Sequence, residues 1–238
     1  MLTEKTYLSL EKRTTPISGY LMVCVEFALF VLAIAAGSAE AEPFAVVIIL
    51  AGVFLLRGFF FVNPNNAVVC LLFGDYKGTI KTNGFFWVNP FYIRTSISLR
   101  ARNFDSDKIK VNDKVGNPIQ IGVILVWQVK DTFRACFEVD NYETFVKVQT
   151  DSAVRQLTGL YPYDNFDTDM EVTLRSGHEE VNHALEENLR KRLDIAGIDV
   201  IEARIGHLAY APEIAGAMLR RQQATAVVAA RFKIVEGA

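Results

Sequence analysis

Three histidines, three cysteines and scattered acidic residues are the groups in this 238-residue chain whose types suit chemistry. His178-Glu179-Glu180-Val181-Asn182-His183 has the outline of a zinc-protease HExxH, which requires histidines four residues apart so that both face one side of a helix. Here they stand five apart, about 140° round a helix from one another, and the run reads as a solvated helix face. His207, near the end of a strand, reads as structural. Asp164, Asp167 and Asp169 are grouped like calcium ligands, yet no EF-hand glycine and glutamate follow at the required spacing. They read as turn and capping residues. Cys24, Cys70 and Cys136 form no CxxC and are odd in number, which suits reduced, buried thiols rather than a disulfide framework or zinc site. Cys24 near a membrane could be acylated, although its place within an apolar run favours packing. No G-x-S-x-G elbow, Walker loop or Rossmann glycine pattern occurs. No enzyme activity, cofactor or metal is expected. The net charge of −2 offers no basic stripe for nucleic acid.

One acid stands apart from the rest. Glu26 lies inside an apolar run, and between Gly19 and Val62 only Glu26, Glu40, Glu42 and Arg57 are charged. Gly19–Gly37 and Phe44–Val62 are each 19 residues long, and a helix of that length spans roughly 28 Å, close to the hydrocarbon thickness of a bilayer. The fourteen Val, Ile, Leu and Phe residues of the second segment contribute about −5 to −6 kcal/mol of insertion energy, outweighing roughly +3 for Arg57. Near the segment's end, Arg57 can also snorkel. The first segment is weaker, because Glu26 offsets most of its apolar contribution. A cleaved signal ending near Ala33–Ala39 and a pair of buried soluble helices are the alternatives. Two adjacent spans are the favoured reading. Glu26 is expected to make an intramembrane polar contact with Arg57; an ion-pathway role is the rival. Lys5, Lys12 and Arg13 precede the segments and Arg57, Lys77 and Lys81 follow, while the connector Ser38–Pro43 has no cation. Both ends are therefore expected in the cytoplasm; a re-entrant hairpin has the same sidedness.

The remainder must supply a folded body. Asn63-Pro64-Asn65-Asn66 stops the second helix. Ala67–Phe73 predicts a strand ending in the turn Gly74–Gly78, Gly84–Val88 a short strand, Ile93–Phe104 an alternating strand, and Pro118–Val129 a β-branched strand after Gly116-Asn117. The period then changes. Asp131–Phe137 and Tyr142–Leu160 predict helices. A capping box at Thr168–Glu171 opens another, which carries Val181, Leu185, Leu189 and Leu193 and stops at Gly197. Ile198–Leu208 predicts a strand, and Pro212 opens an Ala-rich helix running to Ala238. That helix meets no stop signal, so a coiled-coil-like continuation is expected. The fold class is α+β, with boundaries at residues 1–18 (flank), 19–62 (membrane hairpin, 19–37 and 44–62), 63–211 (domain) and 212–238 (helix).

Several short runs together resemble the SPFH (band-seven) family of stomatins, prohibitins, flotillins and the bacterial HflK/HflC pair. Apolar Ala67–Leu72 leads into Phe73-Gly74-Asp75-Tyr76-Lys77-Gly78-Thr79, similar to the family's F-G-x-Y turn. Gly84-Phe85-Phe86-Trp87-Val88-Asn89-Pro90-Phe91 resembles its glycine-to-proline strand. Asp113–Gly122 and Trp127-Gln128-Val129-Lys130-Asp131 resemble the entry to and exit from its central strand. Gln149–Arg155 and Ile195-Ala196-Gly197-Ile198-Asp199-Val200 resemble its helix and its G-I-x-V signature. Asn65-Asn66 stand where many members carry a Pro-x-x-Glu/Gly pattern.

The resemblance is to a bacterial-type member with an N-terminal membrane hairpin. It implies a non-enzymatic scaffold of the inner cell membrane, its domain on the cytoplasmic side, forming homo-oligomeric rings or cages that organise membrane microdomains and sequester client membrane proteins. Its partners would be copies of itself, the lipid bilayer and membrane-protein clients, with no nucleic acid. Regulation of a membrane-bound protease, as in HflK/HflC, is the alternative. Glu213, Arg220, Arg221 and Arg231 on the last helix are the expected contacts between copies.

Overall fold

A computed structural model describes residues 11–38, 42–164 and 172–237. The connector residues Ala39–Ala41, the capping box at 168–171, and Asp167 and Asp169 fall outside them. The chain forms two compact units of mixed α/β structure: residues up to Arg100 with Val129–Glu138, and Ala101–Gln128 with the residues from Val139 on.

In the first unit the elements are β1 (Ile17–Ser18), α1 (Gly19–Ser38), α2 (Glu42–Leu56), β2 (Phe59–Val62), β3 (Asn66–Leu72), β4 (Asp75–Ile80), β5 (Gly84–Trp87), β6 (Ile93–Ser98) and α3 (Thr132–Phe137). They build two three-stranded sheets, β1-β5-β2 and β4-β3-β6, around Val62, Val68, Cys70, Ile80 and Val88. Desolvation in this core pushes the Cys70 thiol up to about 11, which keeps it protonated and unreactive. The strands β3 and β4 join through Phe73-Gly74, whose φ values of 50° and 90° match the two-residue turn that follows the natural twist of a hairpin. Asp131 caps α3 by accepting from the backbone N–H groups of Phe133 and Arg134. Phe133 and Phe137 then pack edge-on against Tyr76 of β4, at 4.9 and 5.8 Å between ring centres.

The second unit comprises β7 (Arg102–Asp105), β8 (Ile109–Asn112), β9 (Pro118–Val129), α4 (Tyr142–Thr158), α5 (His178–Leu193), β10 (Ile198–Tyr210) and α6 (Pro212–Glu236). β9 lies between β10 and β7 and also pairs with β8. Its odd-numbered residues Ile119, Ile121, Val123 and Leu125 are fully buried, the period-two pattern of a strand with one face in the core. Asp113 fixes the entry to β9 by accepting from the N–H groups of Val115, Asn117 and Tyr163. α5 buries Val181, Leu185, Leu189 and Leu193, packing on α4 and β10, and a 3-10 turn over Asp194–Ala196 closes it at Gly197, φ 64°.

Four expectations need correction. The helix predicted over Phe44–Val62 stops at Leu56, and Phe59–Val62 pairs with β5 instead. Gly58 interrupts the helix, and three consecutive phenylalanines facing Phe85, Phe86 and Trp87 gain more from cross-strand packing. The alternation over Ile93–Phe104 divides into β6, paired with β3, and β7, paired with β9. The turn predicted at Gly74–Gly78 is mostly strand β4. The helix predicted from Thr168 begins at His178, since 172–177 forms a turn.

Replacing Leu185 by Ala should destabilise the protein by about 2–5 kcal/mol, whereas His183→Ala on the exposed face of α5 should change stability by less than about 0.5 kcal/mol. Chemical unfolding followed by circular dichroism distinguishes them; equal effects would contradict the packing of α5.

Candidate membrane-associating site

α1 and α2 pack on each other, yet their outer surfaces are covered with exposed apolar side chains: Leu21, Phe27, Phe30 and Ile34 on α1, Phe44, Val47, Leu50 and Val53 on α2. Scattered exposed leucines are ordinary in soluble proteins, but a continuous apolar surface marks contact with lipid or another protein. α1, at 20 residues, rises about 30 Å, and among the described helices it alone is long and apolar enough to cross a membrane. The apolar stretch of α2, Pro43–Leu56, is shorter.

The two helices begin and end at one place. Ile17 of β1 and Phe59 of β2 both pair with Trp87 of β5, one on each side. The chain thus enters α1 and leaves α2 beside the same strand. Side chains of the sheets also complete the end of α2. The last turn of any helix leaves carbonyls without intrahelical partners. Here the Trp87 indole Nε1–H donates to the Leu55 carbonyl at 2.9 Å. The Arg94 guanidinium donates to the carbonyls of Arg57, Phe59 and Gly58 at 3.0, 3.1 and 3.4 Å. Its positive charge also opposes the negative end of the helix dipole. Gly58 is required there, because a Cβ would stand 2.3 Å from the indole nitrogen.

Around this junction the rings form contacts in series. Tyr20 and Phe59 both meet Phe85, and Phe91 meets both Phe54 and Phe73. Phe61, Phe73 and Phe91 remain exposed. Exposed rings gathered where apolar helices end extend the apolar surface suited to contact with lipid or another protein.

The segment before α1 is held as firmly as the end of α2. Thr14 and Lys12 exchange backbone hydrogen bonds with Thr79 of β4 at 3.2 and 2.7 Å. The Thr14 hydroxyl donates to the Lys77 carbonyl, occupying space that a side chain at position 78 would fill. Glu11 accepts from Lys81 and Thr132 at 2.8 and 2.6 Å.

The residues singled out from the sequence are distributed as follows. Glu26 lines a cleft between α1 and α2 with Leu29, Phe30, Ala33, Ile48, Ile49, Gly52, Val53 and Leu56. No ion pair or hydrogen bond joins it to Arg57 among the described residues, and Arg57 is exposed. Arg57 takes part through its carbonyl, which Arg94 binds. Glu213 pairs with Lys110 of β8 within its own chain, a hydrogen bond that holds its carboxyl below the usual range. Arg220 and Arg221 are exposed on α6, and Arg231 lines a surface groove with Val228, Phe232 and Val235. His178 and His183 are exposed and lie on one helix, α5. Trp87 and Arg94 were missed by the sequence reading. The available signal was a cation alternating with apolar residues in a strand that follows an apolar segment.

Arg94→Ala should lower the midpoint of thermal unfolding in detergent through a loss of about 1.5–3 kcal/mol, and Trp87→Phe, which keeps most of the ring and removes the donor, through about 1 kcal/mol. Both should also speed proteolysis at Arg57. Protection unchanged in Arg94→Ala would remove the guanidinium from this role.

No individual curated protein matches the chain. A family model described as SPFH domain / Band 7 family matches residues 60–237, from within β2 to the end of α6. The match begins where the aromatic junction hands the chain from α2 to the sheets, and it agrees with the resemblance carried by the turn at Phe73–Thr79 and the strand at Gly84–Phe91. The chain belongs to the SPFH domain / Band 7 family, whose members generally associate with membranes as non-enzymatic scaffolds.

Proposed function

We propose that this protein is a membrane-anchored scaffold. α1 and α2 enter the bilayer as a hairpin from the face on which the family domain lies, and copies associate laterally into large rings or cages. These organise the surrounding membrane and retain client membrane proteins. The carrying observation is the junction at Trp87, where the strands before α1 and after α2 pair on opposite sides of β5. A pair of apolar helices that leaves and returns to one strand is suited to a hairpin and unsuited to chain ends on opposite sides. Lys12, Arg13, Arg57, Lys77 and Lys81 cluster in sequence around the two entry points, which favours the cytoplasmic side of an inner membrane.

Family membership supports self-association, since these proteins generally oligomerise. The chain adds a surface for it. α6 is 25 residues long, about 38 Å, and beyond Gln222 it is exposed throughout its described length. Val228, Phe232 and Val235 recur at i, i+4 and i+7, one apolar stripe. A helix of this kind pairs with others like it, with Arg231 at the edge of the stripe. The activity assigned is the assembly itself, with no bond broken or formed.

Two measurements test this. Solubilised in mild detergent, the protein should run as a particle of many chains, and Val228→Asp with Phe232→Asp should shift it to small species. A wild-type particle of one or two chains would overturn the scaffold. Single cysteines at Thr14 and Ser98 in a Cys-free background should both react with an impermeant maleimide from the same side of sealed vesicles. Labelling from opposite sides would overturn the hairpin.

A further inference from the structure

We propose that the cleft between α1 and α2 binds one lipid-borne hydrogen-bond donor, an ammonium or hydroxyl group heading a long apolar chain, with the Glu26 carboxyl as its receiver. The inference rests on the hairpin reading given above. Its starting point is an imbalance in the cleft. Eight of its nine lining residues are apolar or glycine, and the ninth is Glu26. The carboxyl oxygen Oε1 is shielded from solvent and has no hydrogen-bond partner. The other oxygen, Oε2, lies 3.3 Å from where a Cβ on Gly52 would stand. The glycine therefore leaves room beside the carboxylate.

The cleft's shape narrows the occupant. Its volume is about 280 Å³, near the roughly 300 Å³ lower end of small-molecule pockets. Water is poorly suited to it, because a buried water needs two to four polar partners and Glu26 is the sole charged lining residue. A ligand with two polar ends would strand one of them. What fits is an apolar body with a single donor at its head.

Depth in the membrane points to the same class. Glu26 lies seven residues into α1, about 10 Å along it, and Gly52 lies four residues before the end of α2, about 6 Å from it. The carboxyl thus stands below the junction of rings yet well short of the hairpin's tip. Molecules reaching that depth come from the bilayer. The chain's own Arg57 does not fill the role: it is exposed, is absent from the cleft lining and makes no bond to Glu26 among the described residues. A carboxylate in such a place is a functional feature by default, since apolar surroundings strengthen any donor it meets.

The test uses the full chain in phosphatidylcholine vesicles containing a trace of hexadecylamine or of hexadecanol, each carrying a diazirine near its head group. After photolysis, labelled peptides are mapped. Label should concentrate on the less exposed cleft residues Leu29, Ala33 and Ile48 relative to the exposed Leu32 and Val47. Glu26→Leu should reduce cleft labelling about ten- to hundredfold, the size expected for one charge-assisted hydrogen bond. Gly52→Leu, which fills the cleft while keeping the carboxyl, should do the same. Preference for the amine identifies an ammonium ligand, and labelling by the alcohol a hydroxyl one. Label spread evenly over both helices and indifferent to both substitutions would overturn the site while leaving the hairpin intact. Cross-links from the cleft to a second copy of the chain in place of amphiphile would overturn it in favour of a contact between subunits. Absence of label from both helices would overturn the hairpin itself.

Discussion

Backbone carbonyls at the end of a helix must find partners, and where the surroundings are apolar no water supplies them. At the end of α2 that requirement falls on Arg94 and Trp87, side chains of the sheets that follow. The consequence is mechanical as well as energetic. Each donor belongs to a strand, while the acceptors are Leu55 in the last turn of α2 and residues 57–59 directly after it, so the end of the helix is tied to the sheets. In a chain lacking these donors the pair would be a flexible tether. With them the end of α2 is pinned to two strands of the sheets.

Wherever period and composition were local, they were legible. β9 matches its predicted bounds because its inward residues alternate over its whole length, and α5 shows its buried stripe of Val181, Leu185, Leu189 and Leu193. Gly197 marks its end by a conformation that most residues avoid. The short strands escaped because their reason for existing is a distant partner. Phe59–Val62 reads as the tail of an apolar helix until Gly84–Trp87 is set beside it, and Ile17–Ser18 carries no signal of its own. The same holds for Ile109–Asn112, a strand through its register with β9. Single-chain periodicity contains no term for pairing across twenty or seventy residues.

The functional features divide along a similar line. Glu26 was visible because a carboxyl amid apolar residues is conspicuous at sequence level. Its surroundings were not, since the room beside it depends on Gly52 of another helix. Glu213, an expected contact between copies, also pairs with Lys110 of its own chain, a partner that lies 103 residues away and that periodicity does not reveal. The exposed apolar stripe of α6, by contrast, is legible from spacing alone: Val228, Phe232 and Val235 recur at i, i+4 and i+7.

The threading of the N-terminal segment also dictates an order of events. Lys12, Thr14 and Ile17 complete their pairing only with Thr79 and Trp87, residues that follow both apolar helices in the chain. A nascent chain therefore commits α1 and α2 to their surroundings before the strands on either side can close around them. Closure seals a loop of chain that carries both helices, so separating its two ends requires the pairing at Trp87 and Thr79 to be undone. The arrangement of the pair is then held by the lifetime of a β-ladder as well as by the packing of apolar side chains.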